Sequence, residues 1–162
     1  MFKKTCIIGC GLIGSSIARA IREKKLSNKI VSSNRSDLVN KKVIELKIVD
    51  DSSADTKKMV HDSDLIVIAT PLSSYKDVIL KIQDSFKDGA ILTDVGSVKE
   101  HVISLVEKNI PENISWIPSH PIAGTEESGP EAGFSELFKN RWCVLTPTKK
   151  SKAKDTKLLQ NF

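Results

Sequence analysis

Apolar positions along this chain fall into short runs, separated by stretches with helical spacing. Thr5–Gly9 is an apolar run of strand length that closes on a glycine. Leu12–Lys25 then sets Ile13, Ile17, Ala20 and Ile21 on one helical face, the recurrence that marks an amphipathic helix. Lys29–Ser33 reads as a second strand, Asp37–Leu46 as a helix and Ile48–Val49 as a brief strand. Asp64–Ala69, DLIVIA, is almost continuously apolar, the pattern of a parallel strand covered on both faces. Ser74–Phe86 and Ser97–Asn109 have helical patterns, while Ala90–Val95, Ile114–Ile117 and Arg141–Leu145 read as strands. Strands alternating with helices predict an α/β fold: a Rossmann-type doubly wound, mainly parallel sheet.

Length changes this picture little, since 162 residues suit one domain with a real core. No apolar run approaches the roughly 20 residues of a membrane span. The opening MFKKTCIIGCGLIG mimics a signal peptide, but glycines interrupt it and a strand and turn fit it better. A cytoplasmic protein is expected, with no membrane partner. Net charge is +5, and Lys149–Phe162, with five lysines and one aspartate, carries most of it. Solvated lysines explain such a tail better than a nucleic-acid partner does. The three cysteines, Cys6, Cys10 and Cys143, lack paired spacing, so neither a metal site nor a disulfide framework is expected. Cys6 and Cys143 lie in apolar runs and are expected in the core.

Gly9-Cys10-Gly11-Leu12-Ile13-Gly14 matches G-x-G-x-x-G between a predicted strand and a predicted helix, the context that gives the motif meaning. Gly9 permits the turn, Gly11 leaves room for a pyrophosphate, and Gly14 lets helix and strand pack closely. Gly9, Gly11, Leu12, Ile13 and Gly14 are therefore candidate cofactor-binding residues, the free N–H groups of the helix start facing the phosphates. Where an NAD enzyme carries a carboxylate for the ribose hydroxyls, this chain reads Asn34-Arg35-Ser36. A guanidinium with small amide and hydroxyl donors favours the 2′-phosphate of NADP, with NAD as the alternative. Ser36 is also placed to cap the following helix. Ala69-Thr70-Pro71 follows the DLIVI strand, at the sheet edge where ligands bind.

Two further strand ends share that edge. Ser97 follows the fifth main strand; with Glu100 three residues on, it also fits a capping box. His120 follows the sixth, whereas His61 and His101 lie in polar or helical settings and are expected at the surface. An imidazole at that edge can accept a proton near neutral pH.

GCGLIGSS, VIATPL, DVGSVK and SHPIAGTEESGPEAGFSELFKNRWCVLTP together resemble the prephenate and arogenate dehydrogenases of tyrosine biosynthesis. The resemblance implies oxidative decarboxylation of a cyclohexadienol by NADP or NAD. It implies His120 as the acceptor of the ring-hydroxyl proton, Ser97 as a hydrogen-bonding partner near that hydroxyl, and Thr125 and Glu126 as pocket residues. It further implies a helical C-terminal domain that forms a homodimer and supplies an arginine to the substrate. The chain is expected to stop short of that domain: residues 1–148 read as the NAD(P)-binding Rossmann domain and 149–162 as the Lys-rich start of a connecting helix. Other Rossmann reductases, and a non-catalytic NADP-binding or regulatory module, remain alternatives.

Overall fold

The computed structural model describes residues 1–162. Strands β1 (Phe2–Ile8), β2 (Ser27–Ser33), β3 (Asp51–Ser52), β4 (Leu65–Ile68), β5 (Ile91–Asp94) and β6 (Ser115–Ile117) form one parallel sheet, in the order β3-β2-β1-β4-β5-β6. Helices α1 (Leu12–Glu23), α2 (Asp37–Glu45) and α3 (Thr56–Val60) belong to its first half, α4 (Tyr75–Ile82) and α5 (Glu100–Asn109) to its second. This is the doubly wound fold that the alternating pattern predicts. The order reverses between β1 and β4, and at that switch point the loops diverge to open a crevice at the carboxyl edge.

The run LIVI of β4 shows why the pattern reads as buried. Alternate residues of a strand face opposite ways, so Leu65 and Val67 join one core layer with Ala18 and Ile21 of α1 and Val43 of α2. Ile66 and Ile68 join the other, with Tyr75, Ile79, Val102 and Val106 from α4 and α5. Trp116 on β6 is fully buried in that second layer.

Several boundaries differ from the expected ones. Ile48 and Val49 are buried but form no strand, because Ile48 N–H donates to Val43 O in the closing turn of α2. Lys47 makes that turn in the left-handed region (φ 54°), so strand pairing starts only at Asp51. The five-residue helix α3, unforeseen in its Lys-rich segment, is started by Asp55, whose Oδ1 accepts Lys58 N–H at 3.2 Å. The predicted strand Arg141–Leu145 survives as β8 (Cys143–Leu145). It pairs antiparallel with β7 (Ser119–Pro121) in a separate ribbon, with His120 opposite Val144. Being on this ribbon leaves Cys143 exposed beside Trp142, which overturns its expected place in the core; Cys6 is fully buried.

Beyond Pro147 the chain runs back along β6, where Trp116 N–H donates to Lys150 O at 3.1 Å and Lys152 N–H to Ser115 Oγ at 3.1 Å. An edge strand is covered in this way. Helix α6 (Ala153–Gln160) follows. Leu159 and Phe162 pack on the first core layer, Phe162 meeting Phe2 edge-on with ring centroids 5.5 Å apart. No helix is long and apolar enough to cross a membrane.

Candidate functional site

The glycine turn follows β1 directly. Gly9 has φ +95°, and a methyl there would lie 2.8 Å from Ala69 O and 2.9 Å from Thr70 Cγ2. At Gly14 a methyl would sit 2.0 Å from Gly9 O, so the helix presses on the turn as closely as backbone allows. Gly11 differs: a methyl on it would meet nothing within 4 Å. That open space borders the start of α1, which has no side-chain cap and no acidic residue in its first turn. The first amide to find an intrahelical acceptor is that of Ser15, bonded to Gly11 O at 3.0 Å. The N–H groups of Leu12, Ile13 and Gly14 are thus left for an anion. Across the crevice Thr70 Oγ1 is buried without a partner, as a hydroxyl awaiting a ligand would be. A dinucleotide pyrophosphate fits this cradle. Burial pushes the Cys10 thiol up to about 11, so it stays neutral and plays no nucleophilic part.

Asn34 sits where β2 ends, but its carboxamide is committed to the protein. Its Oδ1 accepts Cys10 N–H at 2.6 Å, while Nδ2 faces Asn40 Oδ1 at 3.0 Å and the hydroxyls of Ser32 and Ser52 at 3.3 Å each. Buried amides are satisfied this way, and Asn34 emerges as a brace for the glycine turn rather than a free phosphate donor. Ser36 caps α2, accepting Val39 N–H at 3.5 Å. Arg35 and Ser36 are both exposed beside this turn, and β2 ends without a carboxylate.

The second half of the edge is organised by residues that the motifs did not single out. Asp94, the last residue of β5, has a fully buried carboxylate. Lys99 Nζ reaches both its oxygens at 2.7 Å, Ser119 N–H donates to Oδ1 at 3.0 Å, and Gly96 N–H and Tyr75 OH donate to Oδ2 at 3.0 and 3.1 Å. Burial, and then the adjacent Asp94 charge, raise the Tyr75 phenol far above its ordinary value, which keeps it a donor. Lys99 Nζ also donates to Ser119 O at 2.6 Å. Lys99 O in turn accepts Ile103 N–H at 2.8 Å, the first bond of the next helix. Helix α5 consequently starts at Glu100, and the capping box expected of Ser97 does not form. Ser97 is exposed on the rim, its hydroxyl free.

His120 follows Ser119 and is half-buried. Ser119 points inward, its Oγ donating to Asp94 O at 2.5 Å. Alternation along the strand places His120 on the other face of the ribbon. An apolar cavity of about 470 Å³ is lined by Ser119 and Pro121 but not by His120, so the imidazole looks away from it. The loop that follows turns back to α1: Phe134 N–H donates to Ser16 Oγ at 3.1 Å, and Gly133 lies so close that a methyl would fall 2.0 Å from Ser15 Oγ. The loop after His120 therefore lands on the first turns of the helix that opens at the glycine cradle. Thr125 lines a cleft of about 440 Å³ with Phe134, Lys139 and Arg141. Glu126 is exposed outside it. His61 and His101 are exposed, as expected.

Strand order, glycine cradle and free helix start define a nucleotide-binding domain of the doubly wound class. A family model for the prephenate dehydrogenase nucleotide-binding domain matches residues 17–162, and the chain belongs to that family. It is 37% identical over 147 residues to the cyclohexadienyl dehydrogenase of Zymomonas mobilis, covering 91% of this chain and 50% of that one. The crystal structure of Aquifex aeolicus prephenate dehydrogenase, in complex with hydroxyphenyl propionate and NAD+, superposes with a TM-score of 0.90 at 27% identity, covering 99% of this chain and 56% of the other. Synechocystis arogenate dehydrogenase gives a TM-score of 0.89, also at 27% identity, covering 98% and 55%. The chain thus spans about half the length of the relatives it matches.

Proposed function

We propose that this chain is the cofactor-binding half of a dehydrogenase that oxidatively decarboxylates prephenate or arogenate, with NADP as the preferred acceptor. The observation that carries the reading is the meeting, at one sheet edge, of the glycine cradle, the Ser97 rim and the His120 ribbon. Family membership agrees with it. The bound dinucleotide supplies the hydride acceptor. His120 accepts the proton of the ring hydroxyl as the hydride leaves its carbon, and Ser97 hydrogen-bonds the same hydroxyl. Loss of carbon dioxide then leaves an aromatic ring, so the protein's task is alignment and one proton transfer. Thr125, in the cleft of the loop that follows His120, and the exposed Glu126 next to it in the chain stand on the substrate side. The exposed Arg35, with Ser36, meets the 2′-phosphate of NADP.

The substrate's distal carboxylate is bound by the part of the relatives that this chain does not span, and that part also forms the homodimer. By itself the chain binds cofactor and turns substrate over poorly. Calorimetric titration with NADP and NAD, then with prephenate and arogenate, tests the whole reading. Tight NADP binding with weak or no substrate binding is expected. Rapid turnover by the isolated chain, or absence of any dinucleotide binding, would refute it. In the same format His120→Asn must spare cofactor affinity.

A further inference from the structure

The Asp94 carboxylate accepts hydrogen bonds from three separate segments of the carboxyl edge, each at or beside an edge loop. Tyr75 follows the Thr70-Pro71 loop after β4, Gly96 and Lys99 belong to the Ser97 loop after β5, and Ser119 immediately precedes His120. Each of these segments bears or adjoins one residue of the site described above. We propose that Asp94 and Lys99 are positioning residues, a buried ion pair that fixes the Ser119–His120 backbone relative to the Ser97 and Thr70 loops and so aims the imidazole. This rests on reading His120 as the proton acceptor.

The geometry supports a positioning role over ordinary core stability. Asp94 is fully buried and the Lys99 side chain is 16% exposed, and a buried ion pair is a poor source of net stability. Its partners stand where the edge loops join the next elements: Tyr75 opens α4, Gly96 and Lys99 precede α5, and Ser119 opens the ribbon that carries His120. Lys99 Nζ grips both ends of the junction: it holds the carboxylate that binds Ser119 N–H, and it donates to Ser119 O itself. All side-chain hydrogen bonds of Asp94 and Lys99 go to each other, Tyr75, Gly96 and Ser119, and none to the glycine turn. Loss of Lys99 therefore disturbs His120 and leaves the pyrophosphate contacts alone.

The test uses the imidazole signals of isotopically labelled histidine. The chain has three histidines, and His120→Asn assigns the one that matters. In Lys99→Met the His120 signals should move and broaden, while those of His61 and His101, and the affinity for NADP, stay as in the wild type. Lys99→Arg, which retains charge and donors, should restore the His120 signals. Unmoved His120 signals in a folded Lys99→Met protein overturn the proposal. So does loss of NADP affinity in step with the histidine change, which would mark general loosening. Should Lys99→Met fail to fold, Tyr75→Phe removes a single hydroxyl from the same carboxylate, and its His120 signals decide the matter in the same way. None of these readouts needs turnover. A His120 that proves dispensable for the chemistry refutes the reading under Proposed function and leaves the positioning result intact.

Discussion

Gly11 and Gly14 stand three residues apart in one motif, and the structure assigns them opposite consequences when a methyl is added. At Gly14 the methyl would lie 2.0 Å from Gly9 O and 3.2 Å from Ile7 Cγ2. The first distance is more than an ångström short of ordinary contact, and its partner is backbone, which cannot rotate away. Helix and turn must separate. Overpacking of this kind costs about 1–3 kcal/mol, which for a domain of this size lowers the melting temperature by roughly 2–12 °C. At Gly11 the methyl would touch nothing within 4 Å. Its φ of −78° is open to any residue, so Gly11→Ala should melt at or slightly above the wild-type temperature. On the proposed reading the empty space admits the pyrophosphate, so the same methyl should collide with ligand. A collision of about 1–3 kcal/mol weakens NADP about 5- to 150-fold. Thermal melting of the two variants, with calorimetric titration of NADP, separates the effects. Wild-type affinity in Gly11→Ala refutes the cradle, and wild-type melting in Gly14→Ala refutes the close helix–turn contact.

Arg35→Ala should weaken NADP about 10- to 100-fold, the loss of a hydrogen bond to a charged group, while NAD binding is unchanged; equal effects on both cofactors, by titration, would remove Arg35 from the 2′-phosphate site. Asp64 accepts Lys3 and Lys4 N–H at 2.6 and 3.1 Å and Lys87 Nζ at 2.5 Å. Burial alone would raise its carboxyl, but these donors outweigh it and hold the group below its ordinary 3.8. A group depressed in the folded state stabilises above its unfolded value and loses that contribution as pH falls through the folded one. Urea midpoints should therefore drop below about pH 4, and Asp64→Asn should flatten part of that drop. Burial raises the Cys6 and Cys10 thiols to about 12 and about 11, so at pH 8 a thiol reagent should label only the exposed Cys143; mass spectrometry of the native protein finding modified Cys10 would contradict the buried turn.

What could be read from the residues alone divides along physical lines. The sheet was legible because β4 and β5 are buried on both faces, so LIVI and ILTD show it in a handful of positions. The cradle was legible because its chemistry is local: glycine spacing, strand before and helix after. Ser36 as a cap was legible for the same reason. The sequence misled wherever distant side chains competed with local preference. Ser97 and Glu100 have capping-box spacing, yet Lys99 bends back to a carboxylate five residues earlier, and α5 begins only after it. Asn34 has the composition of a phosphate ligand, yet a pocket made by Cys10, Asn40 and Ser52 claims its amide. Cys143 has apolar neighbours in the chain, yet pairing with Ser119–Pro121 carries it off the main sheet into solvent. One local sign of the Asp94 hub was present: an aspartate ends an otherwise uncharged buried strand, ILTD. A carboxylate in that position must find donors or be excluded from the core. Because the strand's last residue lies at the carboxyl edge, those donors come from the segments that gather there: Tyr75, Gly96, Lys99 and Ser119. The charge at the end of β5 therefore binds the rim together, and the rim's geometry follows from the need to satisfy one buried anion.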